Sequence, residues 1–250
     1  MNNNMINQAE RVKRLKELGL SGMAEALENQ YNNEVSFSGV SFDQRLDFLI
    51  QRQEAYKKES AYKRIIHHGK LRYLTSFNDL HFKATDGVSN EDLMYLMSNN
   101  WALANPVNII IQGPCGVGKT ALACCLLNGI AKEEQTIRFY NFKEMILDIE
   151  SASMKDPLTL KKLINRLSKI GVLAIDNFLS EKISVNVKSA LFNIIDGRWM
   201  RRPLIVTSQL AIEEYRSLLG GDQSAEGLID RLLKPAKILT LEGKSKRPTM

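Results

Sequence analysis

Residues that typify disulfide-bonded or metal-binding proteins are scarce in this sequence. It has three cysteines and three histidines in 250 residues. Cys115, Cys124 and Cys125 are odd in number and lack metal-ligand spacing, so we expect reduced thiols that pack in the interior. His67 and His68 are adjacent and would point to different sides of a helix, without further ligands beside them. Neither group predicts a metal site.

Long apolar runs are also missing. The first eight residues are polar and show no signal-peptide core, and no stretch is long enough to cross a bilayer. We therefore expect a cytoplasmic protein with no membrane partner. A composition of 44% hydrophobic and 25% charged residues is typical of a globular protein. The length suffices for one α/β domain and a smaller appendage.

The charge balance favours lysine and arginine. A net charge of +6 and a pI near 9.1 suit a protein that works against a polyanion, although composition alone does not establish this. Between residues 52 and 72, seven basic residues stand against two acids, with tyrosines interleaved. A solvated helix face is one interpretation. We favour contact with the phosphate backbone of DNA, made by Arg52, Lys57, Lys58, Lys63, Arg64, Lys70 and Arg72.

The N-terminal part of the chain is predicted to be helical. Residues 1–74 show helical periodicity and almost no strand pattern, with breaks around Gly19 and Gly22. Ser41 and Gln44 have the spacing of a capping box and predict a helix that extends toward His67. We therefore expect a basic helical region over residues 1–74 that binds DNA or a partner.

A glycine-rich segment carries the clearest chemical pattern. A chance glycine-rich turn before an ordinary helix is the simpler interpretation. However, Gly113-Pro-Cys-Gly-Val-Gly-Lys119-Thr120 matches G-x-x-x-x-G-K-[ST] in full and stands between a strand-like run and a helix-like run. Such a loop turns backbone N–H groups around phosphates at a helix N-terminus. Lys119 supplies a charge for the β- and γ-phosphates and Thr120 a hydroxyl for Mg²⁺. We expect nucleotide contacts from Gly113, Pro114, Cys115, Gly116, Val117, Gly118, Lys119 and Thr120.

Five strand-like runs alternate with helix-like stretches after the N-terminal region. They are Val107–Ile111, Thr136–Tyr140, Val172–Ile175, Leu204–Thr207 and Ile238–Leu241. This alternation predicts an α/β fold over residues 75–250, with a five-stranded, mostly parallel sheet covered by helices on both faces. Ligands of such a sheet bind at the carboxyl ends of the strands.

Asp176 ends one of these runs. It is predicted to bind Mg²⁺ together with Thr120, directly or through water, whereas the simpler interpretation is a cap for the next turn. Gln209 follows another run, where a side chain that senses the γ-phosphate would lie, and Ser208 is the second candidate. Arg231 ends a predicted helix. It is either an ordinary surface arginine or a group that reaches the nucleotide of a neighbouring subunit.

Taken in order, several segments resemble the IstB-like ATPases, the transposition helpers of bacterial insertion sequences and relatives of the DnaC and DnaI helicase loaders. These segments are GPCGVGKTALA, VLAIDNF, LFNIIDGRWMRRPLIVTSQL, DRLLKPA and GKSKR. The resemblance covers nearly the whole chain. It implies an AAA+ P-loop NTPase fold, ATP and Mg²⁺ as cofactors, a homo-oligomer on duplex DNA and an IstA-like transposase as partner.

The resemblance also assigns roles to individual residues. It implies catalytic roles for Lys119, Asp176, Gln209 as sensor and Arg231 as arginine finger, and a nucleotide contact for Arg247, the last residue of the G-x-S-x-R tail. The chain departs from the family at Lys234-Pro235 and at Asn177.

Asn177 stands where AAA+ ATPases have a second acid. An amide orients water but cannot take its proton. Either hydrolysis is slow, or Glu181 substitutes, or ATP acts as a structural ligand.

The favoured interpretation is an ATPase that assembles on DNA and helps to recruit or regulate a transposase. A helicase loader acting on single-stranded DNA is the alternative within the same fold, and a non-hydrolysing ATP-gated binding protein is another. A small-molecule P-loop kinase is the alternative from a different class, but it needs neither the basic helical region nor a neighbour's arginine.

Overall fold

The computed structural model describes residues 7–80 and 86–246. The chain groups into two units that divide within one long helix, the first ending at Arg64 and the second beginning at Ile65. In the described ranges no helix is long and apolar enough to span a membrane.

The first unit is helical, as predicted. Ser41 and Gln44 form the expected capping box: the Ser41 N–H donates to Gln44 Oε1 at 3.2 Å, and the Gln44 N–H donates to Ser41 Oγ at 3.3 Å. The helix that they start crosses into the second unit. The helices are α1 (Gln8–Glu17), α2 (Ser21–Asn32), α3 (Glu34–Phe37) and α4 (Phe42–Gly69).

Gly22 allows α2 to lie directly on α4. A Cβ at Gly22 would stand only 2.7 Å from the Arg52 carbonyl oxygen and from Gln53 Cα. The buried Gln53 side chain accepts a hydrogen bond from the Met23 N–H at 3.1 Å. This contact determines which side of α4 faces α2 within the first unit.

The second unit contains a five-stranded sheet in the order β2-β3-β4-β1-β5. All four pairings between neighbouring strands are parallel. The predicted sheet is confirmed, and each strand lies close to its predicted position. The strands are β1 (Asn108–Gln112), β2 (Ile137–Asn141), β3 (Val172–Asp176), β4 (Leu204–Ser208) and β5 (Ala236–Thr240).

Helices cover both faces of this sheet. Side chains alternate along a strand. Ile110 of β1 therefore points to one face of the sheet, where it joins a large hydrophobic core, and the equally buried Ile109 and Ile111 point to the opposite face. That face is covered by α7 (Lys119–Lys132). The other face is covered by α8 (Phe142–Lys155), α9 (Pro157–Lys169), α10 (Val185–Arg198) and α12 (Gln223–Leu233).

Shorter helices complete the second unit. Ser89 caps the helix Asn90–Met97 and accepts from the Asp92 N–H at 3.0 Å. These elements are a 3₁₀ helix (Phe77–Asp79), α5 (Asn90–Met97), α6 (Asn100–Leu103) and α11 (Ile212–Leu218).

Arg198 joins the starts of β3 and β4. It is buried, and its guanidinium donates to the carbonyl oxygens of Leu167 and Ile170 at 2.7 Å, Gly171 at 3.0 Å and Pro203 at 2.8 Å. Burial lowers the pKa of Arg198 to about 9. Gly171 precedes β3 and Pro203 precedes β4. The Arg198 side chain therefore fixes the starts of these two strands relative to each other, and the opposite ends of the strands carry the candidate site.

Candidate nucleotide-binding site

The predicted phosphate loop connects β1 to α7. Gly113, Gly116 and Gly118 have φ angles of 141°, 86° and 106°, in the region that glycine adopts most easily. Gly113 has a second role, because a Cβ there would stand 2.1 Å from the Leu241 carbonyl oxygen. The loop thus has the backbone conformation expected from its glycines, and its first glycine packs against the chain that follows β5.

Lys119 lies at the first turn of α7, with 6% of its surface exposed. Its ammonium donates to the carbonyl oxygens of Gly113 at 2.6 Å and Pro114 at 2.7 Å. The side chain therefore folds back over the loop. This arrangement holds a positive charge inside the loop, where it can pair with phosphate oxygens.

Three side chains meet beside Lys119 at the carboxyl edge of the sheet. Thr120 Oγ1 donates to Asp176 Oδ1 at 2.8 Å, and Thr207 Oγ1 donates to the same oxygen at 2.6 Å. Asp176 is fully buried. The strand order explains the meeting, because β4 lies between β1 and β3 and ends beside both.

The second carboxylate oxygen of Asp176 is suited to binding a cation. Asp176 Oδ2 is buried and has no hydrogen-bond partner within residues 7–80 and 86–246. A buried carboxylate oxygen without a partner is costly, and a divalent cation would offset that cost. Mg²⁺ typically takes one or two protein oxygens plus phosphate and water. Thr120 and Asp176 fit that pattern, and the described residues contain no cluster of three or more His, Cys, Asp or Glu that would form an all-protein site.

Asn177 adopts a left-handed backbone conformation directly after Asp176. Its φ is 57°, which asparagine tolerates better than most residues. Its N–H donates to Thr207 Oγ1 at 3.0 Å. Glu181, the substitute acid considered above, is about half exposed and lies 3.6 Å from the ammonium of Lys143 in an ion pair. The structure therefore gives Glu181 a partner on α8.

The end of β4 brings to the site a residue that was not predicted. The structure brings Thr207 to Asp176, whereas Gln209 is exposed. Ser208 is buried; its hydroxyl donates to the Phe178 carbonyl at 3.1 Å and accepts from the Leu210 N–H at 3.1 Å. Thr207 is thus the functional candidate that the sequence analysis missed. The pattern that could have revealed it is a polar residue at the end of a buried strand.

Arg231 is held within its own chain. Its Nε donates to Asp196 Oδ1 at 2.5 Å, and its Nη1 donates to the Gly227 carbonyl at 3.0 Å. Its guanidinium carbon lies 4.9 Å from the Phe192 ring centroid and 5.7 Å from that of Trp199. A function in a neighbouring subunit would use the other donors of the Arg231 guanidinium or would require Arg231 to leave Asp196.

Six of the seven basic residues predicted to contact DNA are exposed; Arg52 is the exception. Its guanidinium donates to Glu25 at 2.7 Å and Glu59 at 3.0 Å. The hydrogen bonds to Glu59 and Glu25 raise the pKa of Arg52. Because two carboxylates already balance its charge, we remove Arg52 from the proposed DNA contacts. The exposed residues are Lys57, Lys58, Lys63 and Arg64 in the first unit and Lys70 and Arg72 in the second.

The predicted nucleotide contact of Arg247 lies outside the described residues. Cys115 and Val117, also predicted contacts, lie in the loop, with Cys115 exposed and Val117 buried. Cys124 and Cys125 are buried free thiols in α7, and burial raises the pKa of both, that of Cys125 to about 12.

Solved structures share this fold. The chain aligns with the structure of DnaI at a TM-score of 0.57 and 21% identity, over 71% of this chain and 92% of that one. It aligns with the DnaC helicase loader at 0.54 and 19% identity, over 72% of this chain and 99% of that one. These likenesses show that the chain shares the fold of those two proteins.

Sequence relatives match almost the whole chain. The insertion sequence ATP-binding protein y4pL of Sinorhizobium fredii is 26% identical over 234 residues, 94% of each chain. The ATP-binding protein Rv3427c, in an insertion sequence of Mycobacterium tuberculosis, is 27% identical over 235 residues, 94% of this chain and 92% of that one. The model of the IstB-like ATP binding protein family matches residues 13–249. With a match of that extent, the chain belongs to the family of IstB-like ATP binding proteins.

Proposed function

We propose that this protein is an ATP-dependent DNA-binding assembly factor that oligomerises on duplex DNA and helps to recruit or regulate a transposase. The observation that carries the proposal is the cluster of Thr120, Asp176 and Thr207 beside the buried ammonium of Lys119. A lysine ammonium, a threonine hydroxyl and an aspartate carboxylate are the groups with which a P-loop site binds Mg²⁺ and a nucleoside triphosphate. The names of the curated relatives, which refer to insertion sequences, support the role in transposition.

The nucleotide phosphates would lie in the loop from Gly113 to Thr120. Lys119 would exchange its contacts with the loop carbonyls for phosphate oxygens, because a charged hydrogen bond is stronger than one to a neutral carbonyl. Thr120 and Asp176 would hold Mg²⁺, which neutralises charge on the β- and γ-phosphates when bound. Asn177 orients water without deprotonating it, so we infer slow hydrolysis and long-lived ATP-bound assemblies.

The exposed basic residues of α4 support the DNA-binding part of the proposal. Lys57 and Arg64 are seven residues apart and lie on one side of the helix, with Lys58 and Lys63 on either flank. Such a surface contacts phosphates without reading sequence. A role on bacterial DNA would place the protein in the cytoplasm.

The decisive experiment compares two lysines of the same helix. Lys119→Ala removes the buried ammonium, and Lys132→Ala removes an exposed one at the other end of α7. Binding of a fluorescent ATP analogue with Mg²⁺ is measured by titration, and assembly is measured by sedimentation with duplex DNA, single-stranded DNA or neither. We expect Lys119→Ala to lose nucleotide binding and ATP-dependent assembly, while Lys132→Ala retains both.

Other outcomes would redirect the proposal. Undiminished analogue affinity in Lys119→Ala would disprove the phosphate-loop assignment. ATP-dependent assembly on single-stranded DNA alone would favour a helicase loader. Phosphate transfer from ATP to a small molecule, without any assembly, would favour a kinase.

A further inference from the structure

The chain that follows β5 lies against the phosphate loop. Leu241 donates its N–H to the Gln112 carbonyl at 2.8 Å, and its own carbonyl closely approaches Gly113. We call residues 242–246 the tail segment. A Cβ at Gly116 would stand 2.3 Å from Ser245 Oγ and 3.1 Å from Ser245 Cα. Leu241 therefore touches the loop at Gly113, and the tail segment touches it at Gly116.

A hydrogen bond fixes this contact. The Lys246 N–H donates to the Gly116 carbonyl at 2.9 Å. Gly116 lies in the middle of the loop, 130 residues before Lys246 in the chain. Since the donor is a backbone group, only proline at position 246 would remove it.

Asp86 holds both ends of the tail segment. Its side chain pairs with the ammonium of Lys246 at 2.7 Å, and its carbonyl accepts from the Glu242 N–H at 3.0 Å. The Asp86 side chain is 10% exposed. An ion pair with one largely buried partner is screened less by solvent than a surface pair. The tail segment is thus attached to the body of the second unit as well as to the loop.

The contact with Gly116 bears on the chemistry of the loop. In a trans peptide, the carbonyl of one residue and the N–H of the next point in opposite directions. Because the Gly116 carbonyl points to the tail segment, the Val117 N–H points away from it. In a loop that cradles phosphate, each peptide whose N–H faces the phosphate has its carbonyl directed away from it. The bond from Lys246 therefore holds the peptide between Gly116 and Val117 in one orientation, with its N–H directed away from the tail segment, as a phosphate bound on the far side of the loop would require.

We propose that the tail segment is a positioning element of the nucleotide site: docked on Gly116, it holds the phosphate loop ready for the nucleotide, and bound nucleotide in turn holds the tail segment. The second half follows from thermodynamic linkage, because two contacts that favour the same loop conformation strengthen each other equally. This inference rests on the proposed nucleotide binding and adds Asp86, Ser245 and Lys246 to the site as residues that act through the loop.

The first test separates the two contacts of Lys246. Lys246→Ala removes the ammonium but keeps the N–H, and Lys246→Pro removes both; Lys244→Ala, an exposed residue of the same segment, is the control. The affinity for a fluorescent ATP analogue should fall by up to about fivefold in Lys246→Ala, as an ion pair of this kind allows. It should fall by about a further tenfold in Lys246→Pro, the value of one hydrogen bond. Lys244→Ala should bind like the unmodified protein.

A double-mutant cycle identifies the ion pair as the cause. Asp86→Asn and Lys246→Ala should each weaken nucleotide binding, and the combined variant should be no weaker than the worse of the two, because both remove one interaction. Thermal unfolding without nucleotide reports any loss of stability separately. Additive effects on affinity would contradict the assigned pair.

The second test uses the unmodified protein. Trypsin cleavage after Lys244 is followed by mass spectrometry, with and without a saturating non-hydrolysable ATP analogue, and again in Lys119→Ala. Nucleotide should slow this cleavage severalfold in the unmodified chain and leave it unchanged in Lys119→Ala. Equal cleavage rates in the unmodified chain, or full affinity in Lys246→Pro, would overturn the inference alone. Failure of the unmodified chain to bind the analogue would overturn the proposed function with it.

Discussion

Thr207 donates a hydrogen bond to Asp176 across 2.6 Å, from the end of β4 to the end of β3. Both residues are buried. The same hydroxyl accepts the N–H of Asn177, so it orients the carboxylate and also fixes the residue that follows. The acid proposed to bind Mg²⁺ is therefore positioned by a strand that contributes no metal ligand in our assignment.

Thr207→Val tests this positioning with little change of shape. The substitution leaves a buried carboxylate with one donor fewer and the Asn177 N–H without its acceptor. Leaving buried polar groups unpaired costs about 1–3 kcal/mol each. We expect a lower melting temperature and weaker Mg²⁺-dependent ATP binding, measured by thermal unfolding and by titration with Mg²⁺ or EDTA.

Thr240→Val is the matched control for this prediction. Thr240 ends β5 at the same edge of the sheet and is exposed, and its hydroxyl accepts from the Gln112 side chain at 2.9 Å. Loss of the Thr240 hydroxyl should change neither the melting temperature nor the Mg²⁺ dependence of ATP binding appreciably. Equal behaviour of the two variants would show that the Thr207 hydroxyl has no special role.

The sequence predicted the parts of this site that depend on local pattern. The glycine spacing from Gly113 to Gly118 and the apolar run before Asp176 are local, and the structure contains both features where they were expected. Thr207 was missed because its contact depends on strand order, with β4 inserted between β1 and β3. The order of the strands in the sheet cannot be deduced from residue spacing along the chain.

Two further contacts could not be predicted from the sequence, because they also depend on how distant segments pack together. Arg52 was grouped with the DNA-binding residues because it begins a basic stretch, but it pairs with Glu25, 27 residues away, once α2 packs on α4. Lys246 meets Gly116 only because β5 lies beside β1 in the sheet. Helix packing and strand neighbours decide such pairs.

The basic surface of α4 predicts a salt-dependent contact with duplex DNA. Replacing Lys57, Lys58, Lys63 and Arg64 by alanine should weaken binding to unrelated sequences equally. The log–log slope of affinity against salt should decrease by about 0.9 for each DNA phosphate that the protein no longer neutralises. Fluorescence anisotropy at several salt concentrations measures both quantities.

The control for the DNA prediction removes lysines that are already paired. Lys13 and Lys16 lie on α1 in the same unit, 3.8 Å and 3.9 Å from Glu17 and Glu28. Replacing both by alanine should leave the salt slope nearly unchanged. An unchanged slope in the four-residue variant as well would mean that this side of α4 is merely solvated.

Arg231 is predicted to act only in the assembled protein. Arg231→Ala should leave the ATP affinity of the monomer near that of the unmodified chain, while ATP-dependent oligomers fail to form. Sedimentation with a non-hydrolysable analogue measures this. Mixing Arg231→Ala with Lys119→Ala should restore part of the activity, because one type of interface then combines an intact arginine with an intact loop.

Asp196→Asn separates the two roles of Arg231. It removes the 2.5 Å ion pair within the chain but keeps the guanidinium. If Arg231 serves a neighbouring subunit, this variant should assemble at least as well as the unmodified protein. Loss of assembly equal to that of Arg231→Ala would instead indicate that the arginine only stabilises its own chain, and the absence of any gain on mixing would point the same way.

The last prediction concerns Asn177, which departs from the family pattern. The site retains Lys119, Thr120 and Asp176, so ATP should bind well and promote assembly, but the attacking water lacks its usual base. A general base contributes on the order of 10²–10⁴ in rate. Hydrolysis by the unmodified chain should therefore be slow, and Asn177→Asp should increase it, as measured by phosphate release with duplex DNA.

The backbone at Asn177 makes Asp the better replacement. At a φ of 57°, Asp and Asn are tolerated, whereas Glu should lose on the order of 1 kcal/mol of stability. Asn177→Glu should thus also gain hydrolysis but melt at a lower temperature than Asn177→Asp. Glu181→Gln is the control, since it removes the nearby acid paired with Lys143. Rapid DNA-stimulated hydrolysis by the unmodified chain that survives Glu181→Gln would contradict the prediction, because the water would then be activated by a different group.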